Sequence, residues 1–173
     1  SARFILDSYK GFNEFDNIFE EYLSKAEKLN ITILPLSSPD YPDLLKRIYD
    51  PPVILYIRGN QSPDKLINSI GIVGTRKPTD YGKKMSERFA EELSTAGISV
   101  ISGFARGVDT YAHKAVLKNK NSAAITAAVF GCGVDMIYPP ENKTLYDEMI
   151  KKGMLIFEYE ICACPYSVNF SNR

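Results

Sequence analysis

No excess of either charge marks this chain of 173 residues: 21 Lys and Arg face 21 Asp and Glu, so global charge argues for neither nucleic acid nor membrane as partner. Cysteine is scarce, with only Cys132, Cys162 and Cys164. An odd set of this kind is no disulfide framework for a secreted domain, and it points to a reducing, intracellular compartment. Together with the single histidine, His113, these cysteines lack the paired spacing of structural zinc, so no metal is expected. No apolar run approaches the ~18 residues of a membrane span, and no basic stretch followed by an apolar one opens the chain. The sequence therefore reads as cytoplasmic, without a membrane partner. It starts at Ser1 with no initiator methionine, so a natural start further upstream is expected. There is no G-x-x-x-x-G-K-[ST], which excludes a P-loop ATPase. Gly131-Cys132-Gly133 has Met136 where the third glycine of a dinucleotide fingerprint would stand, which argues against NAD or FAD. With no G-x-S-x-G elbow and no evident Ser/His/Asp set, neither catalysis nor a cofactor is expected.

What is present is enough apolar content, 45%, for one compact domain with a small appended lobe. Phe15, Ile18, Phe19, Tyr22, Leu23, Ala26 and Leu29 recur at helical spacing and predict an amphipathic helix. Short strands are expected at Ile31 to Leu34 and Val53 to Ile57, and Gln61 to Lys65 reads as a linker. From Ile70 a regular alternation begins. Strands are expected at Ile70 to Val73, Ile98 to Ile101, Ile125 to Phe130 and Met154 to Phe157. Between them run helices from about Thr79 to Ala96, from Asp109 as N-cap, and through Leu145, Met149 and Ile150 to Gly153. This is the pattern of an α/β, Rossmann-like, doubly wound and mostly parallel sheet. Residues 1–65 form its small N-terminal α/β extension and residues 66–173 its core.

In such a sheet ligands bind outside the carboxyl ends of the parallel strands. Gly74-Thr75-Arg76-Lys77, Ser102-Gly103-Phe104-Ala105-Arg106-Gly107, Gly131-Cys132-Gly133 and Glu158 each follow an expected strand, so topology brings them to one rim. Glycines there admit a ligand to backbone N–H groups, helix N-termini add partial positive charge, and Arg76, Lys77 and Arg106 add full cations. Local charge agrees, since residues 61–120 hold 10 cations and 6 anions. The combination suits phosphate. Asp109 reads foremost as a helix cap, and His113 as a core histidine. Phe104 and Tyr138 sit in rim loops and could stack on bases if exposed.

These residues resemble the DNA-processing protein A (DprA/Smf) family of bacteria. The resemblance runs through DYPDLLKRIYDPPVILYIRGN (Asp40 to Asn60), GIVGTRKPTDYG, SGFARGVDTYAH and FGCGVDMIYPPEN to Glu158 in FEYE. It implies a Rossmann-like protein, not an enzyme, that binds and protects incoming single-stranded DNA and helps load the RecA recombinase in natural transformation. Arg76 then resembles the family's phosphate-binding arginine, with Gly74 and Thr75 shaping its loop. Ser102, Gly103, Arg106, Gly107, Asp109 and His113 match the second motif, and Gly131, Gly133, Asp135, Tyr138, Pro139 and Asn142 the third. The family's terminal Phe-Pro and Arg-Asn-Arg signature is met only by Phe170-Ser171-Asn172-Arg173, so the strands that follow it in the family are expected to be missing. A homodimer through the unpaired sheet edge is the corresponding expectation. A second reading is a Rossmann-like protein that binds or hydrolyses small nucleotides, with Glu158 as the residue to test. A third is a structural remnant that binds nothing tightly.

Overall fold

The computed structural model describes residues 13–161 together with 163 and 169, and the side chains from residue 20 onward. Cys162, Cys164 and Phe170 to Arg173 lie outside the described residues, as do the side chains of Phe15, Ile18 and Phe19. In chain order the elements are α1 (Asn13–Lys28), β1 (Ile31–Pro35), a short α2 (Asp43–Lys46), β2 (Ile54–Arg58), a 3-10 turn (Pro63–Leu66) and β3 (Ser69–Gly71). Then follow α3 (Asp80–Thr95), β4 (Ser99–Ser102), α4 (Val108–Lys118), β5 (Thr126–Phe130), a second 3-10 turn (Pro140–Asn142), α5 (Lys143–Lys152) and β6 (Met154–Phe157).

All six strands join one sheet in the order β1-β2-β6-β5-β4-β3. The last four strands of the chain are parallel to one another, and β2 and β1 add antiparallel pairings on the β6 side. The two strands of the expected N-terminal extension are thus hydrogen-bonded into the same sheet as the core. Because β3, β4, β5 and β6 follow consecutively across the sheet, right-handed crossovers carry α3, α4 and α5 over the same face. The register fixes which side chains meet them: Val100, Ala128, Phe130, Leu155, Phe157, Tyr56 and Ile31 point one way. They pack with Ala26 of α1, Ala90 of α3, Ala112 and Val116 of α4, and Leu145, Tyr146 and Met149 of α5. The opposite face, Leu34, Leu55, Ile57, Ala127, Met154 and Ile156, is covered by Tyr41 and Leu66 from the connections before and after β2. Burial of each large apolar side chain here contributes about 1.5 to 3 kcal/mol.

Local chemistry sets the helix ends. The Thr79 side chain accepts a hydrogen bond from the Gly82 N–H at 3.1 Å, which caps α3. Helix α4 is different: Gly107 stands at its N-cap with φ +82°, and Asp109 lies inside the first turn. The first rim strand also ends earlier than expected, at Gly71 in place of Val73, and Val73 is 77% exposed. No neighbour lies on the outer side of β3 among the described residues, so only β4 holds it in register.

Candidate functional site

Two of the four rim loops are joined backbone to backbone. A Cβ added at Gly107 would overlap the Thr75 carbonyl oxygen and lie 2.8 Å from the Arg76 carbonyl carbon. A Cβ at Gly74 would lie 2.7 Å from Val108 Cγ2. The Val108 N–H donates to the Thr75 carbonyl at 3.2 Å, and the Ser102 hydroxyl to the Ile72 carbonyl at 2.6 Å. Glycine is required at 107 twice over, by its positive φ and by the approach of the neighbouring chain. The consequence is that the loop bearing Arg76 and Lys77 and the loop bearing Arg106 form one lip.

Asp109 holds the second loop from below. Its Oδ2 accepts the N–H groups of Gly103 at 3.1 Å and Ala105 at 3.2 Å. The expected helix-cap role is therefore corrected: this carboxylate caps the loop before the helix. Thr110 donates its hydroxyl to the Ala105 carbonyl at 2.7 Å, and Asn142 donates from Nδ2 to the Phe104 carbonyl at 3.2 Å. Since Ser102 and the Gly103 amide are already committed inside the protein, the groups that the lip leaves outward are side-chain cations more than bare amides. Thr75 likewise turns inward on its own loop, accepting the Lys77 N–H at 3.1 Å.

The cations are accessible. Arg76 and Lys77 are exposed and make no ion pair among the described residues. Arg106 is 51% exposed and forked onto Glu141, Nε to Oε1 and Nη2 to Oε2, the latter at 3.1 Å. That hydrogen-bonded partner raises the guanidinium pKa further, with a smaller contribution from Tyr138, and holds the Glu141 carboxyl below its ordinary range. Glu141 is the residue that sequence reasoning missed, and its separation of 35 residues from Arg106 left no local signal.

Other expected site residues lie elsewhere. Phe104 is fully buried, which removes the base-stacking role that depended on its exposure. Its φ of +61° turns the ring inward, 4.8 Å from the Phe130 centroid and 6.2 Å from Tyr146. Tyr138 is partly buried against the same cluster. His113 is fully buried, with Nδ1 2.6 Å from Thr126 Oγ1. Because that hydroxyl donates to the Val100 carbonyl, it accepts from Nδ1–H and fixes a neutral tautomer. Burial lowers the His113 pKa to about 3.

The third glycine loop is covered. Residues 131–134 are buried, the Gly133 N–H donates to the Ala163 carbonyl at 2.7 Å, and a Cβ at Gly133 would lie 2.6 Å from the Glu160 carbonyl oxygen. Gly133 thus admits the chain segment after β6 where a ligand's phosphate was expected, and Gly131 is buried beside it. Glu158 closes β6, two strand spacings or about 10 Å from β4. Burial, followed by repulsion from Asp50, raises its carboxyl pKa. With Glu160 it lines a shallow depression beside Pro52, Val53 and Tyr159. The rim accordingly runs from cationic at β3 and β4 to acidic at β6, and Glu158 does not join the cations. Among the described residues no cluster of His, Cys, Asp and Glu could hold a metal ion, and no helix is long and apolar enough to cross a membrane.

A family model described as DNA recombination-mediator protein A matches residues 32–173. Protein Smf of Synechocystis sp. is 35% identical over 156 residues, 88% of this chain and 38% of that protein. Among solved structures, DNA processing protein A of Helicobacter pylori, studied for its single-stranded DNA binding mode, superposes with a TM-score of 0.70 at 30% identity, covering 82% of this chain and 61% of that one. The X-ray structure of DprA from Streptococcus pneumoniae gives a TM-score of 0.75 at 30% identity over 91% of this chain and 55% of that one. The chain thus spans between about two fifths and three fifths of the length of these relatives.

Proposed function

The chain belongs to the DNA recombination-mediator protein A family, and from that premise we propose that it binds single-stranded DNA, without strong sequence preference, along the lip formed by Arg76, Lys77 and Arg106. The observation that carries the proposal is the backbone contact at Gly107, which joins the loop of the exposed Arg76 and Lys77 to the loop of the exposed Arg106. Phosphates laid there release counterions, with a log-log salt slope of about −0.7 per phosphate neutralised. Backbone recognition of this kind carries no sequence information, and Phe104, being buried, offers no ring for reading bases. The acidic rim at Asp50, Glu158 and Glu160 sets the direction, repelling the strand from the β6 end and keeping it over β3 and β4. Similarity to the Helicobacter pylori protein, studied for its single-stranded DNA binding mode, supports the same reading.

In this reading the protein acts in the cytoplasm by binding and not by catalysis, shields incoming single strands, and assists RecA loading in natural transformation. A second copy of the chain is the partner proposed for the open edge of β3, where Ile70 and Val73 are exposed beside Phe89. The test is fluorescence anisotropy with oligo-dT, duplex DNA and a panel of mononucleotides at two salt concentrations. Tightest binding to oligo-dT, weakened by salt, is expected. Preference for a mononucleotide, or its turnover with loss of activity in Glu158→Gln, would replace this function with the small-nucleotide reading.

A further inference from the structure

Of the three cations on the lip, only Arg106 has an anion among the described residues. Glu141 grips its Nε/Nη2 edge in the two-pronged geometry that a phosphate would use. The carboxylate is not there by chance rotation of a free loop. Its neighbour Asn142 is buried and donates from Nδ2 to the Phe104 carbonyl and to Thr110 Oγ1 at 3.0 Å. The turn carrying Glu141 is therefore bolted to the loop carrying Arg106. Both members of the pair are about half exposed, so water already solvates them and their mutual hold is weak enough to be exchanged.

Resting on the single-strand reading above, we propose that Glu141 is a specificity residue: it stands in for phosphate on Arg106 and yields only to a polynucleotide. A lone phosphate must displace a carboxylate that is tethered at high local concentration. A strand already held at Arg76 and Lys77 presents its next phosphate to Arg106 at comparable effective concentration, so the exchange becomes an intramolecular competition. In the resting protein the standing positive charge of the lip is that of Arg76 and Lys77. Arg106 adds its charge only once a strand is seated.

The test compares the parent protein with Glu141→Gln, Arg106→Ala and the double variant by anisotropy on oligo-dT across salt, and by competition with dTMP at constant ionic strength. Glu141→Gln is expected to bind oligo-dT more tightly, to steepen the salt slope by up to ~0.7, and to lower the inhibition constant of dTMP by a larger factor than the Kd of oligo-dT, whereas equal factors overturn the specificity role. These gains should vanish when Arg106 is also replaced. Unchanged or weaker binding by Glu141→Gln, or the same gain in the Arg106→Ala background, overturns the exchange. A parent protein that binds no oligo-dT overturns the single-strand reading, and the proposal with it, and is distinguished by requiring no variant.

Discussion

Gly107→Ala separates the physics of the lip from its charge, because it alters no cation. Two costs add. The first is conformational, since φ +82° with ψ −130° is a backbone region that residues with a Cβ scarcely occupy, at a cost of about 1 to 3 kcal/mol. The second is steric: the new methyl would overlap the Thr75 carbonyl oxygen and crowd Arg76 Cα at 2.9 Å, and neither backbone atom can swing aside. Overpacking of this type costs about 1 to 3 kcal/mol. The sum, about 4 kcal/mol, corresponds to roughly 8 to 16 °C in Tm for a chain of this size. Gly97 supplies the control, for its φ is +80° with open space around the position of a Cβ. Gly97→Ala should therefore lose only about 1 to 2 kcal/mol and keep parental affinity for oligo-dT. Gly107→Ala should lose more stability and also weaken oligo-dT binding at least tenfold, as the loops part. Urea unfolding and anisotropy on the same preparations decide the matter. Equal destabilisation by the two substitutions, with affinity intact in both, would refute the claim that this contact builds the lip.

Asp109→Asn leaves one acceptor oxygen where the Gly103 and Ala105 amides converge and removes the charge that strengthens both bonds, so urea titration should show a loss of about 1 to 3 kcal/mol. His113 predicts a pH dependence: with a folded pKa of about 3 against an unfolded value of 6.5, the unfolded chain binds the proton first, and stability falls as pH drops through 6.5. At 1.36 kcal/mol per unit this amounts to about 2 kcal/mol between pH 6.5 and 5. The raised pKa of Glu158 acts with the opposite sign, because its folded form holds the proton more tightly, so unfolding is best followed in Glu158→Gln. A flat stability profile over that window would contradict the neutral, buried assignment of His113.

The parallel half of the fold was legible because buried strands read as short apolar runs with a glycine before or after them. Met154 to Phe157 was placed to the residue, and the strand before Gly131 to within one. Local signals also located both cationic loops and, to within one residue, the start of α3. What escaped were facts set by contacts distant in sequence. Nothing in Gly103-Phe104-Ala105 announces a positive φ that drives an aromatic ring from a surface loop into the core. The covering of Gly133 depends on how the chain folds back after β6, and the neutralisation of Arg106 on a turn 35 residues later. β3 was overextended because the run of Ile70, Ile72 and Val73 looks alike whether one neighbour strand or two hold it.

The central claim is that exposed cations at the ends of β3 and β4 receive the phosphates of a single strand. The salt dependence of oligo-dT binding by the parent and by Arg76→Ala tests it most directly. A several-fold loss of affinity at low salt is expected, with a log-log slope shallower by about 0.7, while Asp50→Asn at the acidic end weakens nothing. Superimposable salt plots for the parent and Arg76→Ala would contradict it.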